Sequence, residues 1–129
     1  MTVLHVVETT KEVDTAAREL EEAVRRNGFG VLHVYDLRAK LKEKGVDFPN
    51  ECRILEVCNP QQAAKVLTAD MTVSLGLPCR ISVYQEGGKT KIGTLLPTAL
   101  LAMFPRLEEM QAVAEEVQTA ILRMIEEAR

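Results

Sequence analysis

The sequence has no tryptophan, only two tyrosines and three phenylalanines, two histidines, three cysteines and no long apolar run. Each shortage removes a class of protein. A bilayer-spanning helix needs about 20 consecutive apolar residues, and the nearest stretch, 95–104, is short and interrupted by Pro97. No membrane association is therefore expected. Basic residues number 16 against 19 acidic ones, for a net charge of −3, and no Lys/Arg run is interleaved with aromatics. The electrostatic footprint of a nucleic-acid partner is missing. An odd number of cysteines does not make a disulfide framework. C-x-x-C, H-E-x-x-H, G-x-G-x-x-G, G-x-S-x-G and the P-loop pattern are also absent, so no metal site and no known cofactor is indicated.

What is present reads as one soluble domain. A chain of 129 residues, 47% apolar and 27% charged, is long enough to bury roughly two-thirds of its unfolded surface around one core. Neither repeats nor low-complexity segments divide it. The opening Met1-Thr2-Val3-Leu4-His5 lacks the basic and apolar regions of a signal peptide, which predicts a cytoplasmic location.

Periodicity supplies the elements. Thr2 to Val7, rich in β-branched residues, predicts a first strand. Thr9 and Glu12 stand at capping-box spacing before a helix carrying Val13, Ala16, Ala17, Leu20, Ala23 and Val24, with Asn27-Gly28 as its stop. A second strand over 30–35 places Val31, His33 and Tyr35 on one face and Leu32 and Val34 on the other. Asp36 caps a short helix that ends at Gly45.

The third strand, 53–58, runs into Asn59-Pro60, a favoured N-cap followed by proline in the first helical turn. The helix that follows turns Ala63, Ala64 and Leu67 inward. An apolar connector over 71–78 leads to a fourth strand over 79–85, a Gly87-Gly88 hairpin turn and a fifth strand over 90–96. A long amphipathic helix closes the chain, bearing Leu107, Met110, Val113, Ala114, Val117, Ile121, Leu122, Met124 and Ile125. The order β-α-β-α-β-α-β-β-α, with one clear hairpin, predicts an α+β fold: a mixed or antiparallel sheet of about five strands with helices on one face. The wide stripe of the last helix, or an edge strand, offers a surface for a second subunit, and a homodimer is expected.

Ile54-Leu55-Glu56-Val57-Cys58-Asn59-Pro60 followed by Ala63, then Leu77-Pro78-Cys79, the Gly87-Gly88 hairpin and Pro97 after the last strand, resembles the DUF302 family, a domain of unknown function. The resemblance covers most of the chain. It implies an α+β fold related to the TATA-binding-protein-like β-α-β4-α arrangement, and no established activity. Two residues depart from the expected pattern. Arg80 stands where a small polar residue is expected and Glu56 where a small or apolar one is common.

Cys58 and Cys79 are the best candidates for a site, because each lies where a strand meets a proline-marked boundary and can face a pocket mouth. With Asn59, Arg80 and Glu56 they form the candidate ligand-binding set. Glu56 shares a strand face with Cys58, whereas Arg80 points away from Cys79. The charges act oppositely on a nearby thiol. The plain structural reading is that the thiols are packed and Asn59-Pro60 only caps a helix. His5 or His33 could complete a soft metal site with them, but no ligand spacing supports it. Paired glutamates such as Glu21-Glu22 and Glu115-Glu116, and Lys40, Lys42 and Lys44, read as solvated faces.

Three functions remain open on this reading: a dimeric module binding a small molecule or ion between sheet and helix, a thiol redox enzyme or sensor using Cys58 and Cys79, and a structural self-association protein.

Overall fold

The computed structural model describes residues 2–105 and 107–129. Five strands, β1 (Leu4–Thr9), β2 (Gly30–Asp36), β3 (Cys52–Cys58), β4 (Cys79–Glu86) and β5 (Lys89–Leu95), form one sheet in the order β1-β5-β4-β3-β2. Every neighbouring pair is antiparallel. The expected α+β class is observed. β3 and β4 lie side by side, with Val57 opposite Cys79 and Glu56 opposite Arg80.

Helices α1 (Val13–Arg26) and α5 (Leu107–Ala128) cover one face of the sheet. The main core lies between them and the strands: Leu20 and Val24 of α1 and Ile121, Met124 and Ile125 of α5 meet Leu55, Val57, Ile81, Val83 and Ile92, all at or below 1% exposure. A second apolar cluster is built away from the sheet. There α3 (Pro60–Ala69), a 3₁₀ helix over Met71–Gly76 and the short α4 (Pro97–Leu101) pack on the first half of α5, burying Val66, Val73, Leu101, Met110 and Ala114. The small α2 (Leu37–Glu43), capped by Asp36 accepting from the Ala39 N–H at 3.0 Å, lies beside β2 and β3.

Local details correct the sequence reading at four places. The capping box does not form: pairing with Thr90 keeps Thr9 in β1, its hydroxyl accepts from Lys11 N–H, and α1 begins at Val13 after Glu12. β2 does not alternate cleanly. A register shift between Val31 and His33 inserts one residue, so Val31 and Val34 both pack on the core. In α3, Val66 is buried and Ala64 is exposed, because the helix leans on α5 and the 3₁₀ segment rather than on the sheet. The connector after α3 is helical, and α4 is a separate element.

Candidate functional site

A cavity of about 250 Å³ lies on the seam between the two apolar clusters. Phe29, Val57 and Cys79 belong to the sheet side, and Val66, Leu77, Leu101 and Val113 to the α3–α4–α5 side. Two separately nucleated sets of side chains meet here without filling the space between them. Among the described residues, none that lines it is charged. Ser74, exposed and on the 3₁₀ helix, marks the way out to solvent.

Each wall is fixed by an identifiable local device. α1 ends at Asn27, Gly28 takes a φ of +79°, and the N–H groups of Gly28 and Phe29 bond to the carbonyls of Arg25 and Val24. This left-handed glycine stop delivers Phe29 into the cavity. Asn59 caps α3 by accepting from Gln62 N–H at 3.2 Å, with Pro60 in the first turn, so the chain turns sharply after Cys58. Gln62 Nε2 donates to Glu116 and ties α3 to α5. Gln118 of α5 accepts from both the N–H and the hydroxyl of Thr98, at 3.0 and 2.7 Å, and holds α4 against the opening.

Cys58, Asn59 and Cys79 all line the cavity, so two thiols separated by 20 residues of chain come to one place. Both are free thiols. Burial pushes the Cys58 thiol up. Burial, and secondarily the proximity of Cys58, pushes Cys79 up to about 11. At pH 7 a thiol of that acidity is ionised in only about one molecule in ten thousand. Both groups are therefore weak, neutral donors on an apolar wall.

Glu56 and Arg80 do not join this wall. They are cross-strand partners on the uncovered face of the sheet, with Arg80 Nη2 3.3 Å from Glu56 Oε2. Glu56 also accepts from the Tyr35 hydroxyl, and that bond raises the phenol above its ordinary value. Period-two alternation explains Arg80: Cys79 faces the helices, so Arg80 must face away. The expectation that Glu56 shares a face with Cys58 does not hold at the site, because β3 ends at Cys58, where Asn59 turns the chain into α3 and Cys58 reaches the cavity without Glu56. His5 and His33 occupy the two outer strands at opposite edges of the sheet, and neither reaches the cavity. Cys52 Sγ contacts Ser82 Oγ at 3.7 Å on the uncovered face. Among the described residues, no group of three or more His, Cys, Asp or Glu side chains is arranged to hold a metal ion.

Several lining residues, among them Phe29, Leu101 and Val117, carry no local motif that marks a site. Leu101 and Val117 lie on helices and read equally well as core, and Phe29 sits in the connection between α1 and β2. A groove of about 500 Å³ lies on the far side of Leu77, Pro78, Cys79 and Leu100, which wall both spaces. It opens on the uncovered sheet face and is bordered by Leu4, Val6, Leu75, Arg80 and Leu95. Also among the described residues, no helix is long and apolar enough to cross a membrane.

The chain is similar over its whole length to a crystal structure of an uncharacterised conserved DUF302 protein from Bacillus stearothermophilus. The two share 36% identity, with a TM-score of 0.92 and complete coverage of both chains. No curated protein matches the sequence. Residues 5–128 match the family described as domain of unknown function DUF302, and the chain belongs to that family.

Proposed function

We propose that this domain binds a small, neutral, largely apolar molecule in the cavity between β3–β4 and the α3–α4–α5 cluster. The observation that carries the reading is the lining itself: a half-open pocket of about 250 Å³ that is apolar on nearly every side. Interiors normally close such gaps, because unfilled apolar space costs roughly 24 cal/mol per Å³. At about 30 Å³ for each water-sized group, the space suits a ligand of roughly eight heavy atoms. Specificity falls to the few polar atoms on its rim, the Cys58 and Cys79 thiols and the Ser74 hydroxyl. Asn59 Oδ1 and Gln62 Nε2 are already engaged in holding α3, whereas Gln62 Oε1, buried and without a hydrogen-bond partner among the described residues, adds an acceptor to these. An ion would find no counter-charge on this wall, so the neutral-ligand reading is favoured over ion binding.

Thiol redox chemistry is the second reading, motivated by the convergence of Cys58 and Cys79. Their lowered acidities weigh against it, since the thiolate is the reactive species.

The ligand reading is tested by isothermal titration of the full chain with straight-chain primary alcohols from four to ten carbons. Affinity should rise with chain length until the cavity is full and then level off, and Ala63→Trp should reduce it at least tenfold while leaving the circular-dichroism spectrum unchanged. Occupancy at a hundredfold excess over Kd should add about 2.7 kcal/mol to stability. Absence of saturable binding, or equal binding by Ala63→Trp, would contradict the reading.

A further inference from the structure

We infer that the uncovered face of the sheet is the surface on which a second copy of this chain docks. The face is unusually apolar at its β1–β5 side: Leu4 is 62% exposed, Val6 46% and Leu95 40%. Leu75, 85% exposed, projects from the 3₁₀ helix at the rim of the groove that these residues border. A protruding leucine and a groove of about 500 Å³ thus sit together on one surface. That is the arrangement a two-fold axis requires, since each copy must offer the same patch it receives, and each Leu75 can seat in the other's groove.

Charge points to the same occupant. On this face Arg80 is matched by Glu56, Lys89 by Glu8 and Lys91 by Glu86, three cations against three carboxylates. A locally neutral surface has little attraction for a nucleic acid or an anionic membrane, and it does not repel its own copy although the chain carries a net charge of −3. Size is adequate too. Five strands about 4.8 Å apart and about six residues long at ~3.4 Å each give a flat footprint of roughly 500 Å². Side-chain relief and the Leu75 shoulder bring this towards the roughly 800 Å² of accessible surface per partner that a specific interface buries. The closing helix offers no comparable surface: Met110, Ala114, Ile121, Met124 and Ile125 are consumed within the subunit. The docking surface is independent of the ligand proposed above.

Sedimentation equilibrium of the full chain should return twice the 14.4 kDa chain mass at concentrations on the order of 100 µM. Leu75→Glu, which adds a charge to an already exposed position, should weaken the dimer at least a hundredfold, and Glu22→Lys on the outer side of α1 should leave it unchanged. Should Leu75→Glu fold poorly, the wild-type chain carries the test. A soluble paramagnetic agent should broaden the methyl signals of Leu4, Val6 and Leu95 when the protein is dilute and spare them when it is concentrated. A monomer throughout, a dimer indifferent to Leu75→Glu in its folded state, or methyl groups equally accessible at both concentrations would overturn the inference.

Discussion

The two faces of the sheet are made from the same strands and do different work. Towards the helices, Leu55, Val57, Ile81, Val83 and Ile92 lose essentially all contact with water. On the reverse, the alternate residues of those strands include Ile54, Glu56, Arg80, Ser82 and Leu95, a mixture of apolar groups and paired charges left in solvent or half-buried. Period-two alternation thus writes two messages in one segment. The covered face holds the domain together. The uncovered face, where Leu4, Val6 and Leu95 stay in water, is the one proposed above for association.

The largest expected effect comes from breaking the covered face. Leu55→Ala should destabilise the domain by about 2–5 kcal/mol in urea unfolding. Exposed Leu4, truncated in the same way, should change the stability of the isolated subunit far less, because its side chain is already in water. Equal losses at both positions would erase the distinction between the faces.

The next effect follows from Cys79, on the covered side. Its thiol stays protonated up to about pH 11 in the folded chain, whereas in the unfolded chain it ionises near pH 9. Between those values the unfolded state has already released its proton while the native state retains it, so stability present below pH 9 is lost as the pH rises towards 11. Two units correspond to roughly 2–3 kcal/mol. Cys79→Ala should remove this part of the alkaline decline in denaturation curves. Iodoacetamide should modify Cys79 slowly at pH 7 and faster as the pH climbs, and rapid alkylation at neutral pH would restore the redox reading.

The smallest effects belong to the uncovered face. Arg80→Ala breaks an ion pair whose arginine is 67% exposed and should cost less than about 1 kcal/mol. Glu56→Gln removes the carboxylate that raises the Tyr35 phenol, so the ultraviolet titration of that tyrosine should move down towards 10. An unchanged titration would show that Tyr35 and Glu56 are not coupled.

Much of this was legible in the residues. Strand positions, the Asn59-Pro60 helix start, the Asn27-Gly28 stop and the Gly87-Gly88 hairpin are local codes, read from a few neighbouring residues. The adjacency of β3 and β4, and with it the meeting of Cys58 and Cys79, follows from strand order and was also within reach. Two kinds of feature were not. The Thr9–Glu12 capping box lost to a tertiary preference, the pairing of Thr9 with Thr90, which no short window contains. The cavity arises because Phe29, Val66, Leu101 and Val113, ordinary apolar residues in the sequence, belong to two clusters that do not close on each other. Arg80 and Glu56 stand next to site residues in the chain but face the opposite side of the sheet. Nearness in sequence overstated their part in the cavity.

The ligand site proposed here lies between the two apolar clusters and not on the open sheet. A methyl-resolved NMR titration of the full chain with hexan-1-ol tests it most directly. Saturable shifts sharing one dissociation constant are expected at Val57, Val66, Leu101 and Val117, with Leu4, Val6 and Leu95 unmoved. Saturable shifts confined to the methyl groups of those last three residues, or no saturation anywhere, would contradict it.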